Sequence, residues 1–146
     1  MYVVIIGCGK TGSAIADLLS KNGENVVVID KKSISFEKLS PDFTGFTING
    51  DATELSILLE SKIDKADMVI VTTEIDSVNS MVSQIAKYIY EVPKVIVKIN
   101  EPDKAIIYRN TDIMTLSPTD LFIDKLRYRL AKEGSGTLNE ESLSWE

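Results

Sequence analysis

The sequence has 146 residues, of which 44% are hydrophobic, and this suits one globular domain rather than a disordered chain or two domains. Its net charge of -6 argues against a nucleic-acid partner, because there is no basic excess to displace the counterions of a polyanion. The sequence contains no histidine, the commonest general base and metal ligand, and its one cysteine, Cys8, allows neither an internal disulfide nor a multi-cysteine zinc site.

Short apolar runs alternate with amphipathic segments along the chain. The first half predicts a strand at Tyr2–Ile6, a helix at Thr11–Lys21, strands at Asn25–Ile29 and Phe43–Ile48, a helix at Thr53–Glu60 and a strand at Asp67–Thr72. The second half predicts a helix at Ile75–Tyr90, a strand at Lys94–Ile99, a short helix at Pro102–Tyr108, a strand at Ile113–Leu116 and a helix at Ser117–Lys132. Continuous Val and Ile runs are typical of strands buried on both faces. We therefore expect an α/β fold, a Rossmann-like doubly wound parallel six-stranded sheet with helices on both faces.

Two of the predicted helices begin at recognisable N-terminal signals. Ser117 is the expected N-cap of the last helix, with Pro118 at the first helical position and Asp120 in the first turn. Asp51, followed three residues later by Glu54, is typical of a capping-box variant ahead of a helix.

The composition changes near the end of the chain. We predict a nucleotide-binding domain over residues 1–132 and a flexible, polar C-terminal tail over residues 133–146. The first apolar run, Tyr2–Ile6, is too short for a signal peptide, and no run approaches the roughly 20 apolar residues of a membrane span. The sequence therefore predicts a cytoplasmic protein without direct membrane insertion.

The segment Gly7-Cys8-Gly9-Lys10-Thr11-Gly12 has the form G-x-G-x-x-G, and it lies between the first predicted strand and the first predicted helix. In such a loop Gly7 permits the tight turn, Gly9 lets a phosphate approach the backbone, and Gly12 lets the helix pack close to the strand. The free N–H groups and the dipole of the helix N-terminus then face the anion. The pattern therefore predicts a phosphate-binding loop.

Asp30 ends the second predicted strand, eighteen positions after Gly12. A carboxylate there accepts hydrogen bonds from both ribose hydroxyls and repels a 2′-phosphate, so NAD or an adenosine nucleotide is favoured over NADP. Lys31 and Lys32 weaken this exclusion a little. The alternative interpretation is a tight strand–helix turn with an incidental surface aspartate.

Two side chains within the glycine loop leave alternatives open. Lys10 either reaches a phosphate as a point charge or is merely solvated. Cys8 is either a reactive thiol at a helix N-terminus or, as we favour, a small side chain that fits the turn.

Residues after the later strands are further candidates, because ligands of open α/β sheets lie beyond the carboxyl ends of the strands. They are Asp51, Ala52 and Thr53 after the third strand, Thr72 and Thr73 after the fourth, and Lys98 at the end of the fifth. The first group would face the adenine edge. The threonines either lie beside the phosphates or ribose or only form a turn, and the lysine either balances phosphate charge or is exposed.

These motifs occur in an order that resembles a known family. The glycine loop, Asp30, the tetrad Gly50-Asp51-Ala52-Thr53, the run Ala66-Asp67-Met68-Val69-Ile70 with Thr72, Thr73 and Asn79, and the pair Ser117-Pro118 resemble the N-terminal lobe of the RCK/KTN (TrkA-N) family. The resemblance covers residues 1–132. Members of this family are nucleotide-binding regulators of potassium channels and of Trk/Ktr-type potassium uptake systems. The G-D-A-T tetrad is its most specific part, because many dehydrogenases share the glycine loop.

The resemblance implies a binding role for each of these positions. Gly7, Gly9, Lys10, Thr11 and Gly12 would hold phosphates, Asp30 the ribose, and Asp51, Ala52 and Thr53 the adenine side. The full set of candidate cofactor-binding residues is Gly7, Cys8, Gly9, Lys10, Thr11, Gly12, Asp30, Lys31, Asp51, Ala52, Thr53, Thr72, Thr73 and Lys98. We expect no catalytic residue and no metal site.

The expected cofactor is NAD or NADH, with ATP, ADP or AMP as alternatives. Relatives often have arginine where Lys98 stands, and lysine loses bidentate phosphate binding. The choice between a dinucleotide and a nucleotide triphosphate therefore stays open.

The resemblance also implies a membrane potassium transporter or channel subunit as partner, at the inner face of the cell membrane. We expect a homo-oligomer, as dimers or an octameric ring. Two predicted helices offer more apolar surface than a small sheet needs: the helix that begins at Ile75, and the last helix, with Leu121, Phe122, Leu126 and Leu130. The alternative interpretation is that both helices simply cover the sheet. Many members carry a second, C-terminal lobe, so we expect either a one-lobe member with a separate partner or part of a two-lobe protein.

Three functions follow from these observations. The favoured one is a regulatory subunit that gates a potassium transporter or channel by a ligand-dependent conformational change, which needs differential affinity but no chemistry. The alternative is the cofactor-binding domain of an NAD-dependent oxidoreductase, against which the lack of histidine and of an evident substrate domain counts. In a third, the fold serves assembly and binds no nucleotide.

Overall fold

The computed structural model describes residues 1–133, and all six predicted strands form within them. The strands are β1 (Tyr2–Ile6), β2 (Asn25–Asp30), β3 (Phe46–Asn49), β4 (Met68–Val71), β5 (Lys94–Lys98) and β6 (Met114–Leu116). The α-helices are α1 (Lys10–Lys21), α2 (Leu55–Glu60), α3 (Asp76–Gln84) and α4 (Pro118–Lys132). Short 3₁₀ helices occupy Ser33–Lys38, Ile63–Lys65 and Pro102–Tyr108, and a π-helical turn at Ile85–Ile89 continues α3.

The six strands form one sheet in the order β3-β2-β1-β4-β5-β6, and every neighbouring pair is parallel. This confirms the predicted doubly wound sheet. The chain order reverses at β1, whose neighbours β2 and β4 lead to opposite edges of the sheet. Ile6 of β1 is in register with Ile29 of β2 and Val71 of β4, so the three carboxyl ends lie side by side at the switch point where ligands of such folds bind.

Buried side chains cover both faces of the sheet, as the continuous apolar strands predict. On one face, Val4 and Ile6 of β1 share a core with Leu58 of α2 and with Val82 and Ala86 of α3 and its π turn. On the other face, Val3 and Ile5 share a core with Ala16 of α1. Each fully buried Val or Ile side chain stabilises the fold by roughly 1.5–3 kcal/mol relative to exposure, which holds the helices against the sheet.

Two predicted elements, the third strand and the second helix, start more than one residue away from the predicted position. The third strand begins at Phe46 rather than Phe43, because Phe43 packs against the α1 side of the core and its N–H donates to Ser40 O in a turn. The predicted capping box is wrong, since among residues 1–133 no side chain caps α2 and its N-cap residue is Glu54. Asp51 instead accepts hydrogen bonds from Thr53, within the loop.

The later helices agree with the prediction apart from local geometry. Helix α3 begins one residue after Ile75, and the remainder of the predicted Ile75–Tyr90 helix is the π turn. The predicted N-cap of α4 is confirmed, because Ser117 Oγ accepts a hydrogen bond of 3.3 Å from Asp120 N.

Helix α4 differs from the others in having no buried residue, and its Leu121, Phe122 and Leu126 are exposed. The interpretation that the late helices simply cover the sheet therefore holds for α3, whose Val82 is fully buried, and is wrong for α4. Within residues 1–133, no helix has the length and apolar character needed to cross a lipid bilayer. The predicted flexible tail lies outside the described residues, apart from residue 133.

Candidate nucleotide-binding site

The glycine loop makes the turn from β1 to α1 at the centre of the sheet. Gly7 has a φ of +99°, a conformation that favours glycine, and its N–H donates to Ile29 O at 2.8 Å. A Cβ on Gly7 would lie 3.1 Å from the backbone of both Thr72 and Thr73. The loop is therefore held between β2 and the end of β4, and its course requires glycine at position 7.

The other two glycines of the loop have opposite surroundings. A Cβ on Gly12 would lie 1.9 Å from Gly7 O, so a side chain there would push α1 away from the turn. Among residues 1–133, and apart from the adjoining backbone, a Cβ on Gly9 would meet only Glu74 Oε1, at 4.0 Å. Gly12 is thus required by packing within the protein. The space beside Gly9 is open, as expected where a ligand phosphate approaches the backbone.

Helix α1 presents a free N-terminus to this space. Its N-cap residue is Gly9, which no side chain of residues 1–133 caps, and the first turn contains no acidic residue. The first N–H groups of a helix have no intrahelical acceptor, and they carry the positive end of the helix dipole. The start of α1 can therefore accept an anion without competition from a capping carboxylate.

The predicted ribose carboxylate, Asp30, lies at the end of β2 against the glycine loop. Its Oδ2 accepts a hydrogen bond of 2.7 Å from Cys8 N, and its Oδ1 accepts one of 2.7 Å from Lys32 N. The strand end is fixed further by Asn49 Nδ2, which donates to Asp30 O at 3.0 Å and Lys31 O at 3.1 Å. A carboxylate has about four lone-pair positions, so both oxygens can still accept from ribose hydroxyls.

The loop after β3 is organised by Asp51. Its Oδ1 accepts hydrogen bonds from Thr53 N at 2.9 Å and Thr53 Oγ1 at 2.7 Å, and its Oδ2 lies 3.7 Å from Lys31 Nζ. The hydrogen bonds from Thr53, helped by the positive charge of Lys31, hold the pKa of the Asp51 carboxyl below its ordinary value. The loop therefore carries a stable negative charge opposite the glycine turn.

The end of β4 is tied to the glycine loop and to β5. Thr72 Oγ1 lies within hydrogen-bond distance of Ile6 O at 3.1 Å and of Gly7 O at 3.2 Å. The buried Asn79 accepts from Thr73 N and Thr73 Oγ1 and donates to Thr73 O and Lys98 O. Thr73 Oγ1 also hydrogen-bonds the backbone of Ile75, so Thr73 forms part of the turn that leads into α3. Both threonines nevertheless line the cavity described below.

Lys98 is buried, so the interpretation of an exposed lysine is wrong. Its side chain is 9% exposed, whereas Glu74, which lies 2.9 Å from its Nζ, is 83% exposed. The pair stands beside the glycine loop, because Glu74 Oε1 is the atom nearest to the empty Cβ position of Gly9.

A cavity of about 440 Å³ joins these parts at the carboxyl ends of β1, β2, β3 and β4. Its volume falls within the range of small-molecule sites. Nine of the fourteen predicted cofactor-binding residues line it: Gly7, Gly9, Asp30, Lys31, Asp51, Ala52, Thr53, Thr72 and Thr73. Five do not line it: Cys8, Lys10, Thr11, Gly12 and Lys98. Lys10 and Thr11 are exposed at the start of α1.

Residues 3–117 match the family model of the TrkA-N domain. The chain belongs to the TrkA-N domain family. It is 30% identical over 138 residues to a Trk system potassium uptake protein TrkA of Streptomyces coelicolor. The matched region covers 94% of this chain and 62% of that protein. The chain thus spans less than two thirds of the length of this relative.

Solved structures of two proteins agree with the family. The GsuK channel bound to NAD is 25% identical with a TM-score of 0.75, and the match covers 92% of this chain and 24% of that one. The TrkA-N domain of the inner membrane protein ybaL from Escherichia coli has a TM-score of 0.78, with 88% of this chain and 96% of that chain covered. At 15% identity, the second structure shows the fold alone.

Cys8 belongs to the buried core of this TrkA-N domain and does not line the cavity. Its side chain is fully buried in the α1-side core, and burial together with the charge of Asp30 raises the pKa of its thiol to about 11. A protonated, buried thiol is unreactive. The interpretation that Cys8 is a small side chain that fits the turn is therefore confirmed, and that of a reactive thiol is wrong.

Several residues that line the cavity are not predicted by the sequence motifs. Glu74 and Ile75 follow Thr73 in the β4–α3 loop, Ser35 comes from the 3₁₀ helix after β2, and Val78 lies on α3. The rule that strand-end residues face the ligand could have found Glu74. Nothing local in the sequence signals Ser35, because the path of the 3₁₀ helix brings it to the cavity.

Within residues 1–133, the aspartates, glutamates and Cys8 form no group of three or more that could hold a metal ion. Two carboxylates of the cavity instead pair with lysines, Asp51 with Lys31 and Glu74 with Lys98, and Asp30 accepts hydrogen bonds from backbone N–H groups.

Proposed function

We propose that this TrkA-N domain binds an adenine nucleotide at the glycine loop, with NAD or NADH as the first candidate and ATP, ADP or AMP as alternatives. The observation that carries the proposal is the open space at Gly9, which lies in the 440 Å³ cavity at the uncapped N-terminus of α1. The similarity to the GsuK channel bound to NAD supports a dinucleotide.

Each proposed binding role follows from position. The backbone around Gly7 and Gly9 and the N–H groups of Lys10 and Thr11 at the start of α1 would hold phosphates, since a helix N-terminus is an anion site. The remaining lone pairs of Asp30 would accept ribose hydroxyls and repel a 2′-phosphate.

The roles of the other predicted binding residues are also proposed from their positions around the cavity. The cavity-lining Asp51, Ala52 and Thr53 would contact the adenine side. Thr72 and Thr73 would lie beside the phosphates or the ribose, at the end of β4.

We propose further that residues 1–132 are a regulatory lobe that gates a potassium transporter or channel from the cytoplasmic face of the membrane, without catalysing a reaction. The relative from Streptomyces coelicolor, a Trk system potassium uptake protein, supports the potassium partner. Gating requires only that the nucleotide bind two arrangements of the domain with different affinity. The exposed apolar side chains of α4 support a homo-oligomer, as dimers or an octameric ring.

Isothermal titration of the purified chain, stripped of carried-over ligand, tests nucleotide binding. NAD, NADH, ATP, ADP and AMP are titrated in turn into the wild-type protein and into Gly9→Ala. We expect saturable binding of at least one nucleotide and a loss of roughly tenfold or more in Gly9→Ala, because the added methyl group fills the space beside the loop. Heat traces without saturation for every nucleotide would refute the proposal and favour a fold kept for assembly.

A turnover assay and a mass measurement test the regulatory role. Incubation with NAD and simple hydroxy acids is expected to produce no NADH, whereas sustained hydride transfer would favour an oxidoreductase. Light scattering is expected to give a mass above the 16.1 kDa of one chain, and a monomer at all concentrations would contradict the homo-oligomer.

A further inference from the structure

The ion pair between Lys98 and Glu74 joins two residues in different environments. Lys98 is 9% exposed and Glu74 is 83% exposed. Among residues 1–133, Glu74 is the residue that hydrogen-bonds Lys98 Nζ. A buried ammonium group is costly without an anionic partner, so the lysine needs a negative charge at this position. The side chain of the exposed glutamate can turn into solvent with a small loss of free energy.

The glutamate carboxylate also lies where a phosphate would come. Glu74 Oε1 is 4.0 Å from the position of a Cβ on Gly9, and among residues 1–133 it is the one atom from outside the adjoining backbone within that distance. Gly9 is the N-cap residue of α1, and both residues line the same cavity. A phosphate that approached the loop backbone would therefore meet a like charge, next to the Lys98 ammonium group that lies 2.9 Å from this carboxylate oxygen.

We propose that Glu74 occupies the phosphate position of the unliganded domain and is displaced from Lys98 when a phosphate-bearing ligand binds. This inference rests on the proposed nucleotide function. Lys98 changes partner from carboxylate to phosphate and stays neutralised in both states. Glu74 then makes the affinity of the domain for its ligand depend on the charge of that ligand. An anionic ligand repels the Glu74 carboxylate and takes its place beside Lys98, whereas a neutral ligand does neither.

The proposal predicts opposite effects for the two residues. Glu74→Gln keeps the size of the side chain and removes its charge, so ADP is expected to bind roughly three- to tenfold more tightly. AMP should gain less, and adenosine, which has no phosphate, should bind equally to both proteins. Lys98→Met removes the cation while keeping an unbranched buried chain, and its ADP affinity should fall towards that of adenosine.

The experiment is a titration of ADP, AMP and adenosine into the wild type, Glu74→Gln, Lys98→Met and Glu101→Gln. Glu101 is exposed in the loop after β5 and does not line the cavity, so its variant controls for a general loss of negative charge. Circular dichroism confirms that each variant is folded. If Glu74→Gln binds ADP no better than the wild type, gains equally for adenosine, or is matched by Glu101→Gln, the inference is wrong although the nucleotide site stands. Unchanged ADP affinity in Lys98→Met also overturns it. If neither the wild type nor Glu74→Gln binds any ligand, the proposed function itself fails.

Discussion

Gly9 and Gly12 belong to one motif, but replacing each by alanine should have different consequences. At Gly12 the new methyl group would lie 1.9 Å from Gly7 O and 2.8 Å from Thr72 Oγ1. Overpacking against backbone costs about 3 kcal/mol, and the better helix propensity of alanine offsets up to about 1 kcal/mol. We therefore expect Gly12→Ala to lower the free energy of unfolding by about 2–3 kcal/mol, which corresponds to a fall in Tm of roughly 10 °C.

At Gly9 the structure predicts a small change in stability. The backbone has φ -79° and ψ -163°, which alanine adopts without strain, and the nearest atom to the new methyl group is 4.0 Å away. Alanine is a poorer N-cap residue than glycine, at a cost of at most about 1 kcal/mol. Gly9→Ala should therefore fold with a Tm within a few degrees of the wild type, while losing nucleotide affinity.

The assay is urea denaturation followed by circular dichroism, with calorimetric Tm values and nucleotide titration on the same three proteins. The expected result separates stability from binding, with Gly12→Ala less stable and Gly9→Ala stable but impaired in binding. Equal destabilisation of both variants would refute the packing argument. A stable Gly9→Ala protein with wild-type affinity would show that the space at Gly9 is not used by a phosphate.

Three further predictions concern residues around the site. In the native protein at pH 8, the Cys8 thiol should react with a disulfide reagent only after addition of denaturant, because it is buried and its pKa is raised to about 11; rapid native labelling would contradict this burial. Asn79→Ala should cost about 2–4 kcal/mol in urea denaturation, since it leaves buried partners on Thr73 and Lys98 unsatisfied, and a change below 1 kcal/mol would refute the bridging role. Although burial raises the pKa of Asp76, hydrogen bonds from Asn100 and Glu101 outweigh it, so the folded pKa lies below the ordinary 3.8. The stability from this carboxylate is complete above the unfolded pKa and is lost as the pH falls through the folded pKa, so Asp76→Asn should be less stable than the wild type at pH 7 and should approach it below pH 3.

The fold could be predicted because its signals are local and strong. Val and Ile runs such as Val26–Ile29 are too apolar for a sheet with one wet face, and the glycine loop marks the β1–α1 turn. The start of β3 was less predictable, because Phe43 looks like a strand residue while packing from a turn into the core. Asp51 likewise fits a capping pattern, but its carboxylate bonds Thr53 two residues on. In both cases the side chain makes a tertiary or turn contact instead of the strand or helix-cap contact that the local sequence predicts.

The site was predictable where it depends on the motif and less so where it depends on long-range packing. The positions of Gly7, Gly9 and Asp30 follow from their place at strand ends. By contrast, Lys98 has the sequence context of an exposed lysine, and its burial depends on contacts with the β4–α3 loop. Lys98 and Glu74 are separated by 24 positions, so no local sequence pattern predicts that they form a pair.

The most direct test of the central claim is to follow the backbone amides of the glycine loop by ¹H–¹⁵N correlation NMR while NAD or ADP is added to the stripped 146-residue chain. The N–H groups of Gly9, Lys10 and Thr11 at the start of α1 have no intrahelical acceptor, so they should show large, saturable shift changes as the phosphate binds. In Gly9→Ala the amides of Lys10 and Thr11 should need a roughly tenfold or higher nucleotide concentration to reach the same shift changes. Saturable nucleotide binding that shifts other residues but none of these amides would contradict the assignment of the site.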